Sequence, residues 1–365
     1  MGLVMRSCLE THMNNLPEAN EVILGVDTHL DVHVGALISE TGRLLGTFSV
    51  ETNNAGYLKL LSWGQSYGLL RRAGVEGTGT YGAGLTRLLQ DHGLEVWEVN
   101  RPDRSKRRLQ GKTDPTDAEN AARTVLADSS HAIPKTRSGA AEAMREVSVV
   151  RRSAVKAKTQ AINQLRALLV SAPQGIRERL WKSKSGDCAK GCARLRSLGD
   201  TPLLAALTIA LRLLGKRWLA LAEEVDELDK TLEHLTRTHA IRLRGQFGIG
   251  AQTAATLLAV AGDNPERLRN EAALAALCGV SPLQASSGKT VRHRLNRGGD
   301  RSANNALWTI SMVRMRDDPR TRAYVARRTQ EGLSSKEIQR CLKRYIVREI
   351  YPLILADLAE SVARC

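Results

Sequence analysis

The chain has 365 residues and a formal net charge of +16, because 54 lysines and arginines outnumber 38 aspartates and glutamates. This excess excludes an acidic, self-repelling disordered protein and indicates a polyanionic partner. Only 4% of the residues are aromatic, so we expect contacts with nucleic acid to rest mainly on phosphates rather than on stacked bases.

Membrane and disulfide-rich classes are also disfavoured. The first twenty residues contain no signal-peptide core, and no later apolar run approaches the roughly 20 residues of a membrane helix. We therefore expect a cytoplasmic protein that does not contact a membrane. Six scattered cysteines favour reduced thiols, and the lone C-x-x-x-C pair of Cys188 and Cys192 is weak support for zinc. A hydrophobic content of 42% suffices for the two or three domains that this length suggests.

Residues 21–130 predict an α/β domain, preceded by an N-terminal extension at residues 1–20. The runs EVILGVD, DVHVGALI and RLLGTFSV are separated by short turns and indicate three sequential antiparallel strands. They are followed by a helix near residues 54–67, a strand ending at 74–76, a second helix and a strand at 94–99. This order is typical of a ribonuclease-H-like domain rather than of a doubly wound sheet.

Residues 138–240 predict an α-helical coiled-coil linker. Apolar residues lie near heptad spacing in residues 138–170, and a second series alternates steps of three and four residues. The segment 181–200 between them has no periodicity and is interpreted as a loop or inserted connection. The second apolar series consists of Trp218, Leu221, Val225, Leu228, Leu232 and Leu235.

Residues 243–355 predict a mainly α-helical C-terminal domain with a helix-hairpin-helix. The run from Phe247 to Gly250 has the h-G-h-G pattern of that motif, whose glycines let backbone N–H groups approach a phosphate. An ordinary turn between two helices explains the pattern equally well. Between residues 289 and 348 there are 16 Lys/Arg and five Asp/Glu, a net charge of +11 in a sixth of the chain.

Four carboxylates stand at positions that suggest a shared site. Asp27 ends the first predicted strand, Glu76 ends the fourth, and Asp114 and Asp117 share one face of a helix. Oxygen ligands of this kind suit Mg²⁺, and two ions about 4 Å apart can bind both the attacking and the leaving oxygen of a phosphodiester. Structural roles remain open: a helix N-cap for Asp114, completed by Asp117, a salt bridge for Glu76 and a turn for Asp27.

The same region contains two patterns with other interpretations. Residues 77–82 fit G-x-G-x-x-G between a strand and a helix, with Glu98 near the position of a ribose-binding acid. The antiparallel strands before this motif favour a simple tight turn instead of a dinucleotide site. His29 and His33, on either side of Asp31, are expected to be solvated or structural rather than metal ligands.

The basic C-terminal segment contains a candidate nucleophile. Ser286 and Ser287 precede Gly288 in a stretch that is by default a turn, but among cations a serine hydroxyl can attack a phosphate. Arginines beside it would stabilise the charge that develops on that phosphate. The residues predicted to contact nucleic acid are Lys106, Arg107, Arg108, Gly248, Gly250, Lys289, Arg292, Arg294, Arg297 and Arg301.

Five segments combine these motifs in a fixed order: GVDTHLDVHVGAL, VEGTGTYGAGLTRLLQDHGLEVWEVNR, GKTDPTDAENAAR, FGIGAQTAATLLA and CGVSPLQASSGKTVRHRLNRGGDRSANNALW. From about residue 22 to 355 the chain resembles the transposases of the insertion sequence 110 type and the related site-specific invertases. This resemblance implies an N-terminal RuvC-like domain of the ribonuclease H fold with a D-E-D-D tetrad. A helical coiled-coil linker and a C-terminal transposase domain with an essential serine are implied to follow.

Transferred residue by residue, the resemblance puts the tetrad at Asp27, Glu76, Asp114 and Asp117. It puts the nucleophile at Ser287, with the neighbouring Ser286 left as an ambiguity of one position. It implies Mg²⁺-dependent cleavage and rejoining of element ends and target DNA through a serine–DNA intermediate. A structured guide RNA that bridges the two DNAs, and a homo-oligomer that is a dimer or a tetramer, are implied as well.

The tetrad and the serine are about 170 residues apart in sequence, so the predicted active site is composite, within one chain or between chains. Three other functions remain as alternatives. A RuvC-type junction-resolving nuclease would use the tetrad without the serine. A non-catalytic nucleic-acid-binding protein would use neither, and a dehydrogenase would use the glycine motif.

Overall fold

The computed structural model describes residues 20–99, 113–128, 132–288 and 293–363. The chain divides into two compact units, Met1–Lys135 and Thr136–Cys365, called here the first and second unit. In the described ranges, none of the helices is both long and apolar enough to cross a membrane. The following parts of the predictions lie outside the described residues: most of the N-terminal extension (residues 1–19), Lys106, Arg107, Arg108, Lys289 and Arg292.

The first unit contains a five-stranded mixed sheet of order β3-β2-β1-β4-β5. Its strands are β1 (Glu21–Thr28), β2 (Val32–Ser39), β3 (Leu44–Glu51), β4 (Leu69–Glu76) and β5 (Glu95–Val99). The first three are antiparallel, whereas β4 pairs in parallel with β1 and β5 in parallel with β4. The predicted strand order is therefore confirmed. Strands β1 and β2 are buried along almost their whole length, which explains their nearly continuous apolar sequence.

Helices cover both faces of this sheet. Helices α1 (Asn54–Gln65) and α2 (Ala83–Asp91) pack large apolar side chains, such as Leu60 and Leu85, onto one face. Helix α3 (Asp114–Leu126) covers the opposite face with alanines and one valine. Small side chains let a helix axis approach a sheet more closely than leucines do. Helix α3 therefore lies closer to the sheet than α1 and α2 do.

Two glycines set the depth at which α3 packs. Gly25 and Gly74 are register partners on the adjacent parallel strands β1 and β4. A Cβ at Gly25 would lie 2.0 Å from the carbonyl oxygen of Ala118, and one at Gly74 would lie 2.7 Å from that of Ala121. Only glycine permits this contact between strand and helix backbones. The close packing brings the first turn of α3 to the end of the sheet where β1 and β4 finish.

In the described residues of the second unit, the secondary structure is helical apart from one short hairpin. Its two long helices are α4 (Ala140–Ser171) and α7 (Pro202–His239), and its strands are β6 (Leu283–Gln284) and β7 (His293–Arg294). A 3₁₀ turn occupies Pro265–Arg267. The other helices are α5 (Gln174–Leu180), α6 (Ser185–Ala193), α8 (Ile241–Arg244), α9 (Ala251–Ala261), α10 (Glu271–Leu277), α11 (Arg301–Asp317), α12 (Pro319–Gln330) and α13 (Ser335–Ala363).

Helices α4 and α7 form a long antiparallel pair. Arg151 binds Asp229 through two N–H groups, with 3.2 Å between Nη2 and Oδ2. Seven residues further along α4, the Lys158 ammonium lies 5.9 Å from the ring centre of Trp218. The partner positions run backwards along α7 as they advance along α4, which defines the antiparallel direction. The two long helices were predicted correctly, whereas their supercoiling as a coiled coil stays a prediction.

The interpretation of residues 181–200 as a loop is wrong for Ser185–Ala193, which form α6. Cys188 and Cys192 lie one helical turn apart and are fully buried. Their thiols form the apolar face of this helix in place of leucine side chains. Burial raises the pKa of Cys192 to about 12, which keeps this thiol protonated. A Cβ at Gly215 of α7 would lie 2.7 Å from the Ala189 carbonyl oxygen, so the two helices are in backbone contact.

Candidate carboxylate site and serine hairpin

Two of the predicted carboxylates lie side by side at the ends of parallel strands. Val26 of β1 pairs with Val75 of β4, so Asp27 and Glu76 are the next residues on neighbouring strands. The two residues are only 6% and 7% exposed. The hydroxyl of Thr28 donates a hydrogen bond of 2.8 Å to the backbone carbonyl of Glu76, which ties the two strand ends together. Alternation along a strand puts both carboxylates on the face that α3 covers.

The other two acids belong to the first turn of α3. This helix begins at Asp114, and Thr113 occupies the N-cap position. The N-cap role considered for Asp114 is therefore wrong. Asp117, one turn later, is buried at 5% exposure, whereas the side chain of Asp114 is 46% exposed. Acids in a first turn interact favourably with the positive end of the helix dipole, which offsets part of the repulsion among them.

The electrostatics of Asp27 indicate that all four acids are close together. Burial raises the pKa of Asp27 above its ordinary value, His29 opposes this rise, and the charges of Glu76, Asp117 and Asp114 add to it. Ionisation of Asp27 is thus less favourable here than in water, and a bound cation would favour it. The sequence predicted that these four residues share one site, and their positions in the structure are consistent with that prediction.

His29 lies beside this cluster, although its sequence pattern favoured a solvated or structural role. Its Nε2 lies 3.1 Å from an Asp27 carboxylate oxygen and 3.4 Å from one of Asp114. One ligand atom from each of these three residues falls within 4.8 Å of the others, so together they could hold a metal ion. The donor set of one imidazole and several carboxylates fits a divalent cation. The spacing of two residues between Asp27 and His29 was the sequence signal, although β1 ends at Thr28, before His29.

His33 has a different role. It is fully buried, and its ring stacks on Tyr57 with centroids 5.4 Å apart and an interplanar angle of 8°. Burial lowers the pKa of His33, so the neutral ring is favoured. The structural role expected of His33 agrees with this environment.

The glycine-rich segment after β4 forms a compact turn. Gly77 has a φ of 70°, and its carbonyl accepts hydrogen bonds of 2.8 Å from the Thr80 N–H and 3.2 Å from the Gly82 N–H. A positive φ of this size favours glycine. The turn occurs in a mixed sheet rather than in the parallel sheet of dinucleotide-binding folds. Turn geometry therefore accounts for the glycines, and the dehydrogenase alternative loses its support.

Ser286 and Ser287 lie in the loop of the β6–β7 hairpin, called here the serine hairpin (residues 280–298). Its strands pair Leu283 with Arg294. Both serines are exposed, and Gly288 has a φ of 56°, a conformation that glycine adopts readily. Among the predicted nucleic-acid contacts, Arg294, Arg297 and Arg301 are exposed on or directly beside this hairpin.

The two ends of the serine hairpin are fixed to each other. A Cβ at Gly299 would lie 2.0 Å from the backbone nitrogen of Gly279, so these glycines are in backbone contact. The Asn304 amide donates hydrogen bonds of 3.0 and 3.1 Å to the carbonyls of Cys278 and Gly279. Lys343, buried on α13, donates a 2.9 Å hydrogen bond to the Asn304 oxygen, and burial lowers its pKa. The hairpin therefore projects from a rigid base.

The predicted h-G-h-G turn connects α8 to α9. Gly248 has a φ of 82°, and Gly250 is the N-cap residue of α9 without a side-chain hydrogen bond. Phe247 is 54% exposed, whereas Ile249 is buried in the core. The turn agrees with the pattern, while a helix-hairpin-helix and phosphate contacts at Gly248 and Gly250 stay predictions.

The mixed sheet, with buried acids at the ends of β1 and β4 and on α3, is consistent with a ribonuclease-H-like domain of the DEDD type. A family model named for the DEDD transposase of IS110 matches residues 24–172, and the model of the transposase IS116/IS110/IS902 family matches residues 241–326. Together the two matches cover more than half of the 365 residues. The chain belongs to the IS110 family of transposases.

Two curated relatives are similar to part of the chain. The uncharacterized 43.6 kDa protein of insertion element IS110 from Streptomyces coelicolor is 26% identical over 156 residues, which are 42% of this chain and 38% of the relative. The uncharacterized 42 kDa protein of insertion element IS900 from Mycobacterium paratuberculosis is 29% identical over 130 residues, which are 35% and 32% of the two chains. The chain thus aligns with well under half the length of each relative.

Proposed function

We propose that this protein is a DNA transposase that cuts and rejoins DNA strands by phosphoryl transfer. In this proposal Asp27, Glu76, Asp114 and Asp117 hold Mg²⁺, and Ser287 is the nucleophile. The observation that carries the proposal is the convergence of the acids on the end of β1 and β4, where burial, together with the charges of the neighbouring acids, raises the pKa of Asp27. Membership in a transposase family supports the choice of DNA as substrate.

The side chains of the carboxylate site indicate how it would act in this reaction. The buried carboxylates of Asp27, Glu76 and Asp117 offer oxygen ligands, and His29 adds a nitrogen ligand beside Asp114. A bound Mg²⁺ would neutralise charge on the scissile phosphate and favour departure of the leaving oxygen. The acids are fixed before any ligand arrives, because β1, β4 and α3 are held by backbone packing at Gly25 and Gly74.

The serine step forms a covalent intermediate. The Ser287 Oγ attacks phosphorus and loses its proton, an Oγ–phosphorus bond forms, and the bond from phosphorus to one deoxyribose oxygen breaks. That oxygen leaves with a proton as a free hydroxyl. Attack by a hydroxyl of another DNA end reverses these changes and releases the serine, so the phosphodiester bond is conserved. Exposed Arg294 and Arg297 can stabilise the phosphate charge.

A structured guide RNA and a dimer or tetramer also belong to this proposal. The net charge of +11 between residues 289 and 348, from 16 basic and five acidic residues, supports binding of a polyanion. It supports DNA and RNA equally, so the RNA component rests on the family resemblance.

The adjacent serines provide a matched test. We expect wild-type protein and Ser286→Ala to form a denaturation-resistant adduct with radiolabelled element-end DNA in Mg²⁺, and Ser287→Ala to form none. Cleavage by Ser287→Ala without an adduct would instead support a junction-resolving nuclease. Salt-sensitive binding without cleavage in any divalent metal would support a non-catalytic binding protein. An adduct lost only in Ser286→Ala would shift the nucleophile by one position.

His29 should strengthen metal binding. We expect His29→Ala to weaken binding of Mn²⁺, used as a paramagnetic substitute for Mg²⁺, by on the order of tenfold in calorimetry and electron paramagnetic resonance. The physical reason is loss of the imidazole that lies within 3.4 Å of both Asp27 and Asp114. His92→Ala removes an exposed histidine at the end of α2 and should leave Mn²⁺ affinity unchanged. Equal affinities for both variants would exclude His29 as a ligand.

A further inference from the structure

Two cavities of the second unit adjoin the same stretch of α13. One, of about 770 Å³, lies between the base of the serine hairpin and α13. The other, of about 810 Å³, lies among the h-G-h-G turn, α11, α12 and α13. Tyr345 and Arg348 line both cavities, and both residues are exposed. The two cavities are therefore neighbouring parts of one surface path that begins at the base of the serine hairpin.

The second cavity gathers aromatic rings in a protein that has few. Phe247, one of only two phenylalanines in the chain, is 54% exposed there, and Tyr345 is 53% exposed. Tyr324 meets Tyr345 edge to face, with centroids 5.9 Å apart and an interplanar angle of 85°. An edge-to-face pair leaves ring faces uncovered, so a flat ligand can stack there.

Cations accompany these rings. The Arg327 guanidinium lies 5.5 Å from the ring centre of Tyr324, and the exposed Arg320 and Arg348 line the same cavity. Arg314 has a different role: it binds Glu349 through two hydrogen bonds of 2.8 Å and donates one of 2.9 Å to the Phe247 carbonyl. Arg314 therefore neutralises Glu349, one of the two acids that line this cavity with Asp318, and holds the turn that carries Phe247.

The first cavity is cationic without an aromatic platform of its own. Besides the shared Tyr345 and Arg348, its lining includes Arg294 from the serine hairpin and the buried Lys343. The acid in its lining, Glu337, has a carboxylate oxygen 3.9 Å from an Arg340 nitrogen. A row of cations that leads from the base of the serine hairpin to an aromatic cluster fits a chain of phosphates that carries flat bases.

We propose that these two cavities form a track for single-stranded nucleic acid. An unstacked base lies against Tyr345 in the aromatic cavity, and the phosphates on the side of the serine hairpin follow Arg348 and Arg294. A duplex is a poor ligand, because its base faces are stacked inside the helix. This inference rests on the proposed function, because it takes nucleic acid as the ligand. It adds that the bound nucleic acid is single-stranded, and it names the residues that bind it. It also adds one stacking contact to the phosphate contacts that we expect to predominate.

The test measures binding rather than recombination. Full-length protein is titrated with fluorescent single-stranded DNA, single-stranded RNA and duplex DNA at several salt concentrations. We expect Tyr345→Ala to weaken single-strand binding by on the order of tenfold without changing its salt dependence, because a neutral ring releases no counterions. Arg348→Gln should weaken binding and reduce the slope of log affinity against log salt by about 0.7. Tyr345→Phe should bind as wild type does.

Controls separate a local effect from a general one. Tyr67→Ala removes a tyrosine of the first unit that is 46% exposed, and it should leave all affinities unchanged. A 2-aminopurine base in the single strand should be quenched by wild type and not by Tyr345→Ala. Comparison of the DNA and RNA strands identifies which of the two the track prefers.

Three results would overturn the track. They are an unchanged single-strand affinity in Tyr345→Ala, an equal loss for single strands and duplex, and a loss in Tyr345→Phe as large as in Tyr345→Ala. If Ser287-dependent adducts still form in that case, the proposed function stands and only the track is wrong. If wild-type protein binds none of these nucleic acids, the proposed function fails as well.

Discussion

Asp27→Asn should abolish metal-dependent DNA cleavage and, without metal, make the protein more stable. Cleavage is expected to fall by at least about a thousandfold, because the amide removes an anionic ligand at the centre of the cluster. Stability should rise because burial and three neighbouring carboxylates disfavour the ionised side chain, and Asn has the same shape without the charge. The measurements are a cleavage assay in Mg²⁺ and thermal unfolding in a chelator.

The pH dependence follows from the direction of the pKa shift. Burial raises the pKa of Asp27 above 3.8 in the folded chain, so the folded state keeps this proton to higher pH than the unfolded state does. The wild-type chain therefore loses stability as pH rises from about 3.8 through the folded pKa, and the deficit is constant above it. The melting temperature of Asp27→Asn should exceed that of wild type by on the order of 2 °C at neutral pH. Added Mg²⁺ should narrow this gap by stabilising wild type.

Asp31→Asn is the matched control for this experiment. Asp31 is an exposed acid in the turn that follows β1, four residues after Asp27. Its replacement by Asn should change neither cleavage nor melting temperature. If Asp27→Asn cleaves DNA as wild type does, the acids at the ends of β1 and β4 are structural, and the proposed chemistry is wrong.

The positions of Asp27 and Glu76 could be predicted because local sequence encodes them. Each acid ends a buried strand in the same three-residue pattern, glycine-valine-acid, at 25–27 and 74–76. The glycines of these triplets are register partners and contact α3, while the acids point to the same face two residues later. The repeat of this triplet is the sequence signal that identifies both the helix contact and the site.

Other parts could not be predicted because they depend on distant residues. Lys343 binds Asn304 from 39 positions away, and Gly279 contacts Gly299 across the serine hairpin. The aromatic cavity combines Phe247, Tyr324 and Tyr345 from three separate segments, whereas the low overall aromatic content predicted contacts mainly with phosphates. Composition averages over the whole chain, so it conceals a local cluster.

Gly25→Ala should be the most destabilising single-methyl change in the first unit. The added Cβ would lie 2.0 Å from the Ala118 carbonyl oxygen and 2.3 Å from the Ala122 nitrogen. Both are backbone atoms, so no side-chain rotation relieves the overlap and α3 must move outward. We expect a loss of about 3 kcal/mol in urea unfolding, at the upper end for overpacked cores. Mn²⁺ affinity should fall too, because the displaced helix carries Asp114 and Asp117 away from Asp27.

Gly74→Ala and Gly46→Ala distinguish helix displacement from a general intolerance of the sheet to alanine. Gly74 pairs with Gly25 and meets the same helix, with 2.7 Å to the Ala121 oxygen, so its substitution should weaken stability and Mn²⁺ binding together. A Cβ at Gly46, on β3, would meet only side-chain ends of Trp63 and Tyr67 at 3.4 Å, and the change should stay within about 0.5 kcal/mol. Gly25→Ala with wild-type stability and metal affinity would show that α3 is not held against the sheet. The metal site would then need another means of positioning its helix carboxylates, such as the packing of the α3 alanines and Val125 on the sheet.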